Sequence, residues 1–533
     1  MERRTFLKIL SSAGIVSLVS PTFAMEVCKN KVSKSSSALL ESAFRNPPFS
    51  SGVYTWWHWM NGNITKDGIT RDLEAMKANG IAGYQLFEAG SGIPIGPVES
   101  LSDEWVDLIL HTLKESERLG LEFAMHNCPG WSSSGGPWIT PDKAMQIITW
   151  SETKITGGKQ VRIQLPTPKH MFDYYIDTYC LAIPANMKVI PRLSILELSN
   201  RLDKDGVLTW DVPTGEWLIM RFGQTAKDQK NKSAPSKSTG LDCDKFSTEA
   251  LDYHLNCMFK RLMPTMEKIA KHSKIGLLID SYETGDQDWT SDMPAYFEQS
   301  HGYELYPFLP VLANKIVESE ESTKRFLFDF RRVRADMFAE RYYGHFQKRC
   351  KEKGIITYTE PYGGNMMEEL QVAQQLDINM GEFWCGQTVL WANYKYNRTV
   401  KQVASIAHTL GGKVVGAEAF TSEPDADKWL QYPYALKSLG DYMFTRGLSR
   451  IYFHRFAHQP HPTAAPGMTM GAWGLHFDRT NTWWKPGKAW IEYLNRCQYI
   501  FQSSTFYGDI LYHNGDDSFG RTGTNPTGPS GRI

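Results

Sequence analysis

The sequence predicts an α/β fold, a TIM-type (β/α)8 barrel carrying an inserted antiparallel β domain. Three observations lead there. Short apolar runs alternate with segments of helical period, as parallel β/α units require. Eight such runs can be counted, the number a closed β/α barrel uses. Between about Met145 and Gln224 the alternation gives way to strand-turn-strand patterning, with Gly157-Gly158 placed as a hairpin turn.

Taken in order, the first strand is Val53 to Trp59. Thr65 caps the helix after it, in which Ile69, Leu73 and Met76 recur at helical spacing until Asn79-Gly80. The second strand, Ile81 to Phe87, ends in Glu88. Ser102 caps a helix carrying Trp105, Leu108, Ile109 and Leu113, stopped by Gly120, and the third strand, Leu121 to Met125, ends in His126-Asn127. Within the insertion, Tyr174 to Ile183 and Glu216 to Phe222 are further strands. A polar stretch, Ala226 to Gly240, and a helix from about Thr248 to His272 lead back to the barrel. Strand four, Ile275 to Ile279, has the continuous apolar character of a strand buried on both faces and ends in Asp280 and Glu283. A long helix bearing Phe326, Phe330, Val333, Met337 and Phe346 precedes strand five, Ile355 to Thr359, which ends in Glu360. Strand six, Leu376 to Met380, leads into Glu382 and Trp384. A helix over Thr399 to Thr409 stops at Gly411-Gly412. Strand seven, Val414 to Ala417, ends in Glu418, and strand eight, Leu448 to Phe453, in His454-Arg455. In domain terms the barrel occupies 46–144 and 236–512 and the insertion 145–235. A Gly-, Thr-, Asn- and Pro-rich tail, 513–533, reads as disordered or as a linker remnant.

Composition narrows the function. Fifty-eight basic residues balance 58 acidic ones, so nothing points to a nucleic-acid partner. Arg3-Arg4 with Phe6-Leu7-Lys8, then an apolar run from Ile9 to Val19 and Thr22-Phe23-Ala24, reads as an export signal over 1–24 that resembles the twin-arginine type. That run is well short of the roughly 20 residues a membrane span needs, and a periplasmic or secreted bacterial protein is expected. Eight Cys lie scattered without C-x-x-C spacing, which argues for buried thiols over zinc and leaves a disulfide after export open.

At the C-terminal ends of barrel strands the loops converge over one mouth. Glu88, Glu283, Glu360, Glu382 and Glu418 all fall there, among Trp56, Trp57, Trp59, Trp131 and Trp384. A single glutamate after a strand is ordinarily a solvated loop residue. Several beside indoles, which stack on the C–H faces of sugars, match what glycoside hydrolysis needs: an acid for the leaving oxygen, a carboxylate on the other face of the ring, and aromatic walls. Glu283 and Glu418, from strands four and seven, form the natural pair. His58, His126 and His454 are placed to hydrogen-bond sugar hydroxyls, or equally the backbone. No basic cluster suited to a uronate stands out on the strand ends, which disfavours a lyase.

The segments TWWHWMNGNIT, GYQLFE, HNCPGWSSSGGPW, LIDSYE, TEPYGG, GEFW and VVGAEAF, spread between about Asn46 and Leu511, resemble the α-L-rhamnosidases of glycoside hydrolase family 106. The resemblance implies an inverting, exo-acting hydrolase that releases terminal α-L-rhamnose from plant cell-wall polysaccharides of the pectic rhamnogalacturonan type or from glycosides. It also implies a calcium ion contacting sugar hydroxyls. Glu283 then matches the general acid and Glu418 the base, roles that can be exchanged between them, with Glu382 a third functional acid. Trp57, His58, Trp59, Glu88, His126, Asn127, Trp131, Glu360, Trp384 and His454 are the candidate sugar contacts. Calcium prefers oxygen ligands, so Glu382, Glu88, Asp280 and Asp377 are its candidates. A barrel glycosidase for another sugar, or an inactive carbohydrate-binding paralogue, are the alternatives. Family members typically continue into C-terminal β domains, so the chain is expected to stop short of them and to expose apolar surface where they would pack.

Overall fold

Eight parallel strands close a barrel in which neighbours round the ring follow chain order. The computed structural model describes residues 34–511 except 91, 132–133, 273, 365, 386–388, 425–427 and 472. The expected export signal and the 513–533 tail lie outside the described residues. Two units divide the chain: Met1–Pro48, which holds the helix Lys34–Arg45, and Phe49–Ile533, which holds the barrel.

The chain makes β1 (Tyr54–Met60), β2 (Gly83–Ala89) and β3 (Glu122–His126). It then leaves the ring for β4 (Gln146–Thr156), β5 (Lys159–Gln164), β6 (Ile176–Pro184), β7 (Leu196–Glu197), β8 (Val207–Val212) and β9 (Glu216–Ala226). It returns with β10 (Ile275–Ile279), β11 (Ile356–Thr359), β12 (Ile378–Cys385), β13 (Val415–Ser422) and β14 (Arg450–Ala457). Ring order is β1-β14-β13-β12-β11-β10-β3-β2, and β1 pairs in parallel with both β2 and β14.

Side chains alternate across each strand. Tyr54, Trp56, Phe87, Leu278, Tyr358, Met380 and Tyr452 fill the barrel interior. Trp57, Trp59, Tyr84, Leu277, Ile279, Phe383, Ala417 and Phe453 point outward into the layer shared with the helices. Among those helices are α1 (Lys66–Ala78), α2 (Asp103–Leu119), α3 (Thr248–Phe259), α4 (Glu320–Met337), α5 (Val389–Leu410), α6 (Pro433–Thr445) and α7 (Lys488–Ser503). Thr65 caps α1 by accepting from Gly68 N, and Ser102 caps α2 by accepting from Trp105 N. Gly120 ends α2 at φ 65°, a left-handed conformation that a Cβ would strain.

Several expectations need correction. The helix expected from Thr248 to His272 is two, α3 and a short Met263–Ile269, with Pro264 in the first turn of the second. The strands expected to end at Met380, Ala417 and Phe453 run on to Cys385, Ser422 and Ala457. Gly157-Gly158 joins two strands that do not pair with each other: β4 pairs with β9, and β5 with β8. The insertion is therefore a sheet of order β4-β9-β6-β7 beside a two-stranded ladder, packed round Cys180, Ala182, Leu208, Trp210 and Ile219. It is fastened to the loop after β10, where Ile148 N donates to Asp288 Oδ1 at 2.9 Å and Lys227 Nζ to Asp286 O at 2.5 Å. Among the described residues no helix is long and apolar enough to cross a membrane, and seven cysteines are free thiols.

Candidate active site

The inward faces of β1, β10, β11, β12, β13 and β14 bring acids and imidazoles to one mouth. Glu382 and Glu418 are register partners on adjacent strands, β12 and β13. Both are buried, at 9% and 7% exposure. Trp384 Nε1 donates to Glu382 Oε1, and Thr421 Oγ1 to Glu418 Oε1. Burial first, then the charge of Glu382, pushes the Glu418 carboxyl well above the usual range. Asp280, just past β10, and Glu360, just past β11, are raised in the same way, by burial and then by neighbouring acids. Tyr362 donates its hydroxyl to Glu360 Oε2, while Glu360 Oε1 is buried with no hydrogen-bond partner.

Glu283 is different. Its side chain is 42% exposed in the loop after β10, where Lys232 Nζ and Trp131 Nε1 each donate to Oε2 at 3.4 Å. Its partner Trp131 ties it to the same end of the barrel. Trp131 packs against the barrel interior from that side.

Three histidines line the remaining wall. His454 Nδ1 lies 3.7 Å from Glu418 Oε1, and the His58 ring centroid is 5.5 Å from that of His454. The His58 Nδ1 faces Met470 Sδ at 3.2 Å, and His126 Nδ1 faces Cys128 O at 2.9 Å. The Nε2 atoms of His58 and His126 are buried without partners. Burial holds all three imidazoles neutral at pH 7: His126 is lowered to about 4, and His58 and His454 are lowered well below the ordinary value, by burial first, with His454 and then Arg455 adding to the effect on His58 and Arg455 to that on His454. Trp56 meets His454 edge-on at 5.4 Å, and Trp384 meets Trp473 at 5.8 Å. Neutral imidazoles, clustered carboxyls and aromatic edges can bind hydroxyl groups and exchange protons with them.

The mouth thus gathers His58, His126, Trp131, Asp280, Glu283, Glu360, Glu382, Trp384, Glu418 and His454. Five candidates fall elsewhere. Trp57 and Trp59 are on the outer face of β1, at 0% and 1% exposure, and Trp57 Nε1 donates to Asp72 Oδ2 at 3.2 Å. Glu88 lies on the opposite face of β2 from Phe87 and accepts from Ser100 Oγ at 2.7 Å; burial raises it to about 7. Asn127 spends its side chain on the scaffold, donating to Leu278 O at 2.9 Å and accepting from Ser134 Oγ at 2.6 Å. Asp377 precedes β12 at the far end of the barrel, where Oδ2 accepts from Thr357 N at 2.9 Å. Sequence reasoning missed Lys232, Thr421, Tyr362, Met470 and Trp473. Only Tyr362 carried a signal, since it sits inside TEPYGG.

Oxygen-only donors at Asp280, Glu360 and Glu382, with the unpartnered Glu360 Oε1, suit calcium in kind. In number they fall short: among the described residues no group of three or more His, Cys, Asp or Glu side chains is arranged to hold a metal.

Comparison with known proteins adds to this geometry. The model of glycoside hydrolase family 106, described as alpha-L-rhamnosidase, matches residues 45–174 and 169–529. A protein of Formosa agariphila provisionally named beta-glucuronidase is 40% identical over 510 residues, covering 90% of this chain and 43% of its own length. The solved rhamnosidase from Novosphingobium sp. PP1Y shares the fold at a TM-score of 0.80 and 24% identity, over 87% of this chain and 60% of that one. The chain spans under half the length of the curated relative it matches.

Proposed function

The chain belongs to glycoside hydrolase family 106, and from that premise we propose that it is an exo-acting, inverting α-L-rhamnosidase of plant cell-wall polysaccharides or glycosides. One observation supports the reading: a half-exposed carboxyl, Glu283, and a buried one, Glu418, lie at the same end of the barrel on strands three places apart round the ring. Glu283, on the solvent side beside Trp131 and Lys232, protonates a leaving group that departs outward, a role its exposure supports. Glu418, deeper and beside His454, serves as the base that draws a proton from water attacking the opposite face of the sugar. Inversion requires the two carboxyls to stand about 6.5–9.5 Å apart in the substrate complex, leaving room for that water. Glu382 orients the sugar between them. His58, His126 and His454 bind its hydroxyls, with Trp131 and Trp384 as walls.

A calcium ion at the mouth is proposed on the family resemblance, with Glu382 or Asp280 contributing a single ligand and, among the described residues, no cage of three acids. A bound calcium supplies positive charge among the clustered acids. Export to the periplasm is proposed on the N-terminal signal. A second reading, a glucuronide hydrolase, rests on the name of the Formosa relative and on Lys232 as a mouth cation suited to a uronate.

The test is hydrolysis of aryl α-L-rhamnoside and aryl β-glucuronide by wild type, Glu283→Gln and Glu418→Gln, with and without a chelator. Rhamnoside turnover should fall about 10²–10⁴-fold in each variant, and calcium should restore what the chelator removes. Turnover surviving both substitutions would sink the acid/base pair. Cleavage of the glucuronide alone would replace the substrate.

A further inference from the structure

Away from the mouth, a cavity of about 490 Å³ opens between β4 of the insertion and α4. That volume lies within the roughly 300–1,000 Å³ of ligand sites. Its walls are unlike those of the mouth. Lys324, Leu327, Arg331 and Arg334 recur at helical spacing along one face of α4, and Trp150 of β4 stands opposite with Ile148 beside it. Among the described residues Asp288 is the one acid in the lining, and its carboxylate already accepts from Ile148 N at 2.9 Å. Arg334 is anchored, with Nε donating to Gln287 O at 3.0 Å and its guanidinium over the Phe330 ring at 6.0 Å. Three cations and an indole thus line a cavity of ligand size. Nothing in the proposed reaction uses it.

We propose that this cavity binds an acidic carbohydrate, one bearing carboxylate or sulfate groups, at a site separate from the barrel mouth. Guanidinium groups pair with planar or tetrahedral oxyanions in bidentate fashion, an ammonium adds a point charge, and Trp150 offers a face for a sugar ring. Carbohydrate is favoured over other anions because the chain belongs to a glycoside hydrolase family and because the wall continues into the catalytic loop. Asp288 lies five residues beyond Glu283 on one segment, so a glycan held here lies along the same loop as the mouth.

The experiment is calorimetric titration of the full chain with three oligosaccharides of equal length: a galacturonate oligomer, a sulfated galactan oligomer and an uncharged galactan oligomer. The charged oligomers, or one of them, should bind, weaken as salt rises, and lose at least tenfold in affinity to Lys324→Gln/Arg331→Gln. Which oligomer binds tells carboxylate from sulfate. Both substituted side chains are exposed, and aryl rhamnoside turnover in this variant should match wild type, which separates this site from the proposed reaction. Binding of the uncharged oligomer as tightly as the charged ones, unchanged affinity in the variant, or no binding of any charged oligomer would overturn the proposal.

Discussion

As the proposed base Glu418 has to be ionised, yet its surroundings favour the proton. Burial is the larger cause and the neighbouring Glu382 carboxylate the next. Because the shift is upward, the base is lost as pH falls through the raised value. The acid limb of kcat/KM should therefore lie above the ordinary glutamate value of about 4.3. In Glu382→Gln the repulsion is gone, so the residual activity should keep its acid limb to a lower pH than wild type, measured as a pH–rate profile. An unmoved limb would mean that Glu382 is not the charge Glu418 feels. The three mouth histidines impose no limb of their own between pH 6 and 8, since burial keeps them neutral there.

Within β1 the alternation of side chains decides which tryptophans face the barrel interior. Trp56 and His58 face the interior, while Trp57 and Trp59 face the helices. Trp57→Ala should cost about 3–5 kcal/mol in denaturant unfolding, because it leaves a cavity in the outer layer. Trp131→Ala, at a half-buried position, should cost less stability than Trp57→Ala and lower kcat/KM about three- to tenfold. The reverse pattern would place the substrate outside the barrel. The same alternation explains what was legible in the sequence and what was not. Apolar runs marked all eight barrel strands, and Thr65, Ser102 and Gly120 marked the ends of α1 and α2. Reading a strand as finished ahead of its first inward polar side chain cut β12, β13 and β14 short, because an inward glutamate or histidine in a barrel is still part of the ladder. The run TWWHWM could not by itself say which indoles point in, since a one-residue change of register exchanges the two faces. Lys232 was passed over because a polar return segment carries no pattern, and only the fold brings it to Glu283.

For the molecule as a whole, burying Asp280, Glu360 and Glu418 together makes stability depend on pH. Each carboxyl is raised above its unfolded value, so the folded state holds protons that the unfolded chain has released. That contribution is full below the unfolded values and is lost as pH rises through the folded ones. Glu360→Gln should therefore melt higher than wild type at pH 8, with the gap closing toward pH 4. A gap that widens on acidification would reverse the sign. The ring itself closes where β1 meets β14, with Thr55 Oγ1 donating to Phe453 O at 3.1 Å across 398 positions of sequence. Beside that seam the Asp72 carboxylate accepts from Arg479 Nε at 2.8 Å, Gln459 N at 3.0 Å and Trp57 Nε1, tying α1 to the segment after β14. During synthesis at about 5–20 residues per second, β1 waits roughly 20–80 s for β14 to emerge. For that interval its indoles and unpaired backbone form an open sheet edge, the kind of surface that recruits other chains. Closure of the ring therefore has to wait for β14, and the Asp72 contacts with Gln459 and Arg479 can form only after it.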